Sequence, residues 1–243
     1  MGLVRQGRAA DELRPHSVTL DFAPYAEGSV LMQTGNTRVL CAATIEENVP
    51  HWMQDQNKGW ITAEYSMLPR STQVRSKRDQ QRNSGRTHEI QRLIGRSLRA
   101  VAHLPSLGAR RIILDCDVLQ ADAGTRTCSI TGSYIALALA CDRLKKAGKI
   151  AASPLRDQVA AVSVGLLGDQ VLLDLDYPED TAAAVDLNLV MTASGQLVEV
   201  QGTGEEATFS REQLNRMLEV GWAGLQPLFQ LQRDTLKARG VEL

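Results

Sequence analysis

Only ten of the 243 residues are aromatic, four are histidine and four are cysteine. So few rings argue against rows of stacking platforms for reading single-stranded bases. His16, His51, His88 and His103 form no H-x-x-x-H spacing, which leaves a histidine metal centre or a Ser-His-Asp triad without a motif. Cys41, Cys116, Cys128 and Cys141 make no C-x-x-C pair, and each lies in an apolar or strand-like segment. That is the pattern of buried, reduced thiols and not of a zinc site. No apolar run approaches a bilayer span, the longest being Ile135 to Cys141, and the first residues lack the apolar core of a signal peptide. A cytoplasmic protein without a membrane partner is expected.

What is present is a 43% apolar chain of net charge −1, long enough to bury a substantial core. This length suits one domain over 1–243 or two intimate halves, 1–150 and 151–243, with the polar stretch from Lys149 to Asp157 as the candidate seam. Apolar residues alternate on either side of Gly35-Asn36, predicting a hairpin from Gly28 to Ile45. A strand is expected from Gly59 to Leu68, then an exposed loop from Arg70 to Ser84, where apolar periodicity vanishes. Ile90, Leu93, Ile94, Leu98 and Val101 recur at helical spacing, so a helix is expected from Thr87 to Ala102, with Arg92, Arg96 and Arg99 on its other side.

A strand from Arg111 to Leu119 follows, then a buried helix from Thr125 to Lys146, which carries few charges before Asp142. The second half reads as strands at Val159–Leu167, Val171–Asp176, Val185–Thr192 and Leu197–Gln201. Ser210 and Gln213 form a capping box for a last helix to about Ala238, which Pro227 should kink or split. This order lacks the regular alternation of a doubly wound sheet and predicts an α+β architecture of mixed sheets packed with helices.

Three groups of residues carry chemistry. The first is basic: Arg70, Arg75, Lys77, Arg78 and Arg82 in the loop, continued by Arg92, Arg96 and Arg99 on the helix. Such a stripe suits the phosphates of a polyanion, although a solvated loop or a subunit contact uses the same residues. The second is Asp122-Ala-Gly-Thr-Arg-Thr127, a small-residue turn opening directly into a helix. There Gly124 permits close backbone approach, Thr125 offers a hydroxyl and Arg126 a planar cation, while Arg86 begins another helix. Ordinary helix capping explains the turn as well. The third is acidic: Asp174, Asp176, Glu179, Asp180 and Asp186, of which strand parity places Asp186 off the core face and Asp180 in the connection before it. Two such carboxylates suit Mg²⁺ or a proton donor, and any one of them suits a turn. His88 and Glu89, adjacent on a helix, point apart and make no acid–base pair.

Taken together, several stretches resemble the ribonuclease PH family. They are Gly59-Trp-Ile-Thr-Ala-Glu-Tyr-Ser-Met-Leu-Pro-Arg70, Gly85-Arg-Thr-His-Glu-Ile-Gln-Arg-Leu-Ile-Gly-Arg-Ser-Leu-Arg99, Leu114-Asp-Cys-Asp-Val-Leu-Gln-Ala-Asp-Ala-Gly-Thr-Arg-Thr127 and Asp186-Leu-Asn-Leu-Val-Met-Thr192. The resemblance spans most of residues 10 to 205. It implies the ribosomal protein S5 domain 2-like fold and a phosphate-dependent 3′-to-5′ exoribonuclease that trims transfer RNA precursors, releases nucleoside diphosphates and also runs in reverse. It further implies a homohexameric ring, a trimer of dimers. Phosphate would be held at Arg86, Gly124, Thr125 and Arg126, and the family's acids, with Mg²⁺, fall on Asp180 and Asp186. Between those acids stands Thr181-Ala-Ala-Ala-Val185, where relatives often carry serine and further polar residues. A hydrolytic Mg²⁺-dependent nuclease and a non-catalytic RNA-binding ring subunit are the rival classes. The first ignores added phosphate, and the second usually lacks the phosphate-site residues.

Overall fold

The computed structural model describes residues 5, 7–78, 84–204 and 207–242. Strands β1 (His16–Leu20), β2 (Gly28–Thr34), β3 (Thr37–Glu46), β4 (Trp60–Met67) and β5 (Arg111–Gln120) form a first sheet in the order β1-β2-β3-β5-β4. The hairpin turns at Gly35-Asn36 as expected, with Thr34 opposite Thr37. All neighbours are antiparallel except β4 and β5, whose parallel pairing requires a crossover. Helix α1 (Gly85–Ala100) lies in that crossover. Helix α2 (Thr125–Lys146) follows, and then a second, antiparallel sheet, β7-β6-β8-β9, built from β6 (Val159–Leu167), β7 (Gln170–Leu173), β8 (Val185–Thr192) and β9 (Leu197–Gly204). A short α3 (Tyr177–Ala182) connects β7 to β8, and α4 (Arg211–Ala238) closes the fold.

Side-chain parity stacks these elements into four layers. The inward residues of the first sheet, among them Met32, Cys41, Ile61 and Leu114, pack on α1 and α2. The far side of α2 meets Val159, Ala161 and Val190 of the second sheet. Val162, Val164, Leu187 and Leu189 on that sheet's other face pack against Leu225, Leu228 and Phe229 of α4. Because α2 lies between two sheets, it is buried all round, as its lack of charge predicts. Its polar groups are satisfied internally: Ser129 Oγ donates to the Thr125 carbonyl at 2.8 Å, and Ser133 Oγ lies 3.0 Å from Cys116 Sγ. At Gly132 a Cβ would fall 2.9 Å from both Cys41 Sγ and Met32 Cβ, so glycine sets how closely helix and sheet approach.

Three sequence expectations change. His16–Leu20 is a strand that the sequence reading did not single out, and Val171–Asp176 is a strand only as far as Leu173. Asp180 lies in the connection before β8 as expected, and that connection is the helix α3, because Asp176 and Glu179 form a capping box and Pro178 occupies the first turn. Pro227 does not split α4. An interior proline costs about 3 kcal/mol, whereas each large apolar side chain buried around it contributes about 1.5–3 kcal/mol. The neighbouring Leu225, Leu228 and Phe229 are all buried, so packing outweighs the missing backbone bond. All four cysteines are buried and unpaired, and among the described residues no helix is long and apolar enough to cross a membrane.

Candidate active site

Between the end of β5 at Gln120 and the start of α2 at Thr125 the chain has four residues in which to turn. Ala123 and Gly124 achieve this with φ of +56° and +61°. A side chain at 124 would be strained by that φ, and its Cβ would lie 2.9 Å from Arg14 Nη2. The turn is tied down from several elements. Thr37 Oγ1 donates to the Ala123 carbonyl at 2.7 Å and accepts from the Asp122 N–H at 2.9 Å. Arg14 Nη1 donates to the Asp122 carbonyl at 2.5 Å, while the Asp122 carboxylate accepts from Asn36 and from the Tyr177 N–H. No side chain among the described residues caps α2, so its leading N–H groups remain donors at the positive end of the helix dipole.

Cations converge on this helix start. Ser84 caps α1 by accepting from the Thr87 N–H at 3.1 Å, which fixes Arg86 in the first turn, exposed. Arg126, in the first turn of α2, is only 14% exposed in its side chain. Burial lowers its pKa, the positive charge of Arg86 pushes the same way, and Glu89, Tyr65 and Asp186 oppose them. Its Nη1 donates to Gln201 Oε1 and lies 3.4 Å from Glu89 Oε1, which also accepts from Gln201 Nε2 at 2.5 Å. Beneath them Tyr65 Oη lies 2.8 Å from Thr125 Oγ1, both residues buried. Two like-charged guanidiniums beside a helix N-terminus suit a compact anion, which would relieve their mutual repulsion.

The acidic group divides. Asp174 accepts from Arg14 at 2.6 Å, and Glu179 accepts from Arg5 at 2.5 Å and Arg8 at 3.0 Å, so the bases that compensate these acids come from the N-terminal segment. Asp176 caps α3. These three acids are structural. Asp180 is exposed on α3, and Asp186 lies on the β8 face turned toward α2. The buried Asp186 Oδ1 has no hydrogen-bond partner among the described residues, and the acid's charge is felt at Arg126. A carboxylate with an unused buried oxygen fits Mg²⁺, which binds through one or two carboxylates and keeps several waters. No cluster of three or more such ligands occurs among the described residues.

The basic stripe also divides. Arg70, Arg75, Lys77 and Arg78 are exposed, and Arg82 lies outside the described residues. Arg92 and Arg96 line an open cleft with Gly85, His88 and Glu89, where Arg96 pairs with Glu199 at 2.7 Å. Arg99 departs from the expected stripe. Its guanidinium packs 4.3 Å over the Trp60 ring and donates to the Ile61 carbonyl, an intramolecular role that leaves it half-buried. His88 turns to Gln91 and Glu89 to Arg126, so the two do not act as a pair. Sequence reasoning did not single out Arg14, Tyr65 or Gln201, whose partners lie 108, 60 and 75 residues away along the chain.

Comparison with known proteins gives a consistent result. Residues 12–141 match the 3′ exoribonuclease family, domain 1, and residues 157–224 match domain 2 of the same family. A protein named Ribonuclease PH from Bacillus subtilis is 55% identical over 233 residues, covering 95% of each chain. One from Neisseria meningitidis is 51% identical over 237 residues, covering 97% of this chain and 98% of the relative. Among solved structures, rice (Oryza sativa) Rrp46 superposes with a TM-score of 0.79 at 23% identity, over 95% of this chain and 98% of that one. An Archaeoglobus fulgidus exosome with RNA bound to the active site gives 0.78 at 18% identity, over 92% and 90%. These two likenesses concern the fold.

Proposed function

The chain belongs to the ribonuclease PH family of 3′ exoribonucleases, and from that membership and the anion receptor at α2 we infer how it performs phosphorolysis. The observation that carries the reading is the convergence of Arg86 and Arg126 on an uncapped helix start. A phosphate oxygen attacks the phosphorus of the last phosphodiester. The bond to the 3′ oxygen of the penultimate nucleotide breaks, its electron pair leaves with that oxygen, and the products are a nucleoside 5′-diphosphate and an RNA shortened by one.

Phosphate needs little activation at neutral pH, so the protein's task is to align it and to offset the negative charges pressed together. Arg86, Arg126, the N–H groups following Gly124 and the Thr125 hydroxyl would serve that end. Asp180 and Asp186 would hold Mg²⁺, which when bound neutralises non-bridging phosphate oxygens. We assign to Asp186 the orientation of a water that gives the departing 3′ oxygen the hydrogen bond or proton it requires, since an ionised carboxylate accepts hydrogen bonds and donates none. The same groups serve the reverse addition of nucleotides.

We further propose transfer RNA precursors as the substrate, with ribosomal RNA 3′ ends as a second target. The assembly in this reading is a homohexameric ring, a trimer of dimers, as the family resemblance implies, and the compartment is the cytoplasm, where four unpaired thiols remain reduced. The test is to incubate the full chain with 3′-tailed transfer RNA and Mg²⁺, with and without inorganic phosphate, and identify the nucleotides released. Diphosphates should appear only with phosphate; monophosphates in both reactions would mean hydrolysis, and binding without product a scaffold.

Arg70, Arg75, Lys77, Arg78, Arg92 and Arg96 are proposed to grip the RNA body away from its 3′ end. Removing one phosphate-binding cation should reduce the salt slope of binding by about one. Arg75→Ala and Arg78→Ala are therefore expected to weaken RNA binding and flatten its dependence on salt. An unchanged affinity and slope in both variants would remove the loop from the grip.

A further inference from the structure

In the interior of a helix a threonine or serine hydroxyl ordinarily donates back to the carbonyl three or four residues earlier. Two residues of α2 do this: Thr127 Oγ1 donates to the Gly124 carbonyl at 2.9 Å and Ser129 Oγ to the Thr125 carbonyl at 2.8 Å. Thr125 is the first residue of the helix, so no preceding turn offers it a carbonyl. Its hydroxyl instead meets Tyr65 Oη at 2.8 Å, with the two residues 7% and 4% exposed. Tyr65 reaches it from β4, where strand parity turns the ring inward with Ile61 and Ala63. It therefore approaches Thr125 from beneath the turn, while Arg86 and Arg126 stand within electrostatic range of its phenol.

A pair of hydroxyls shares one hydrogen between its oxygens, and the direction matters. A phenol is the better donor and an alkyl hydroxyl the better acceptor, and burial pushes the Tyr65 phenol up, keeping it protonated at neutral pH. We propose that Tyr65 is a positioning residue that donates to Thr125 Oγ1, fixing the Thr125 rotamer and leaving the threonine's own hydrogen to be donated to the incoming phosphate. Without the phenol, Thr125 is free to rotate or to turn its hydrogen away, and phosphate loses an aligned donor. This inference rests on the phosphorolytic reading and deepens its phosphate site.

The test measures kcat, KM for phosphate and Kd for RNA in the full chain, the Tyr65→Phe and Thr125→Val variants and the double variant. Phenylalanine keeps the packing and removes only the hydroxyl. Tyr65→Phe is expected to raise KM for phosphate roughly tenfold, the equivalent of one hydrogen bond to an ion, with kcat at saturating phosphate and RNA affinity near those of the unaltered chain. The double variant should be no worse than Thr125→Val alone, because both changes remove the same donor. An unchanged KM in Tyr65→Phe, or effects that multiply in the double variant, would overturn the proposal. The rise in melting temperature caused by phosphate without RNA is a second readout, expected to be smaller in Tyr65→Phe; equal rises would also overturn it. Phosphate-independent release of monophosphates by the unaltered chain would sink the phosphorolytic reading itself, whereas phosphate-dependent turnover with a normal KM in Tyr65→Phe would sink this inference alone.

Discussion

Arg126→Ala is expected to lower kcat/KM for phosphorolysis by about a thousandfold while leaving most RNA affinity in place. The size follows from where the guanidinium lies. In water an exposed cation adds little to anion binding, but Arg126 is mostly buried at the start of α2, where screening is weak and its fork is held by Gln201 and Glu89. The transition state concentrates charge from the phosphate and the scissile phosphodiester at this position, so the guanidinium counts more there than in the ground state. Arg126→Lys keeps the charge without the planar fork and should fall between the two.

Stability separates a functional loss from a structural one. Burial and the charge of Arg86 both disfavour the protonated Arg126, so its removal should leave the unfolding midpoint unchanged or slightly raised. A midpoint that falls along with activity would make Arg126 a scaffold residue. Near-normal turnover in Arg126→Ala would refute the phosphate site.

Whatever depended on local periodicity was legible from the sequence. The Gly35-Asn36 hairpin, the largely buried α2 and strands β6 and β8 announce themselves within a few residues through turn chemistry or a clear repeat. The turn from Asp122 to Thr127 was legible for the same reason, being a contiguous strand-turn-helix. Strand β1 escaped because five residues with two apolar side chains make a weak pattern, and its place comes from pairing with β2. Helix α3 has no apolar repeat, although Asp176 and Glu179 already spelled its capping box.

The site's supports were hidden for a different reason. Tyr65, Gln201 and Arg14 meet their partners only after both sheets have closed on α2. The acidic segment looked uncompensated because its arginines stand more than 150 residues earlier in the chain. Arg99 looked like part of an RNA-facing stripe because helical phase does not reveal that Trp60 and an edge-strand carbonyl lie beside its last turn.

Asp174→Asn is expected to destabilise the fold by about 3–5 kcal/mol at neutral pH, the cost of leaving a buried charge without its counter-ion. Asp174 follows the end of β7 at a φ of +53° and is almost fully buried. It accepts from the Arg14 N–H at 2.8 Å and from Arg14 Nη2 at 2.6 Å. Burial alone would raise its pKa, but the hydrogen bonds and charge of Arg14 outweigh that and hold the carboxyl below its usual value. A depressed carboxyl contributes stability above its unfolded pKa of about 3.9, and that contribution is lost as pH falls through the folded value. Urea unfolding followed from pH 7 to pH 3 should therefore show an acid limb in the unaltered chain that is shallower in Asp174→Asn. Arg14 also donates to the Asp122 carbonyl and packs under Gly124, so the same substitution should loosen the phosphate turn and raise KM for phosphate in the molecules that remain folded. A variant with the unaltered midpoint and acid limb would show that the Arg14–Asp174 pair contributes nothing net. A lowered midpoint with an unchanged KM would instead confine the pair to tethering the N-terminal segment to the second sheet.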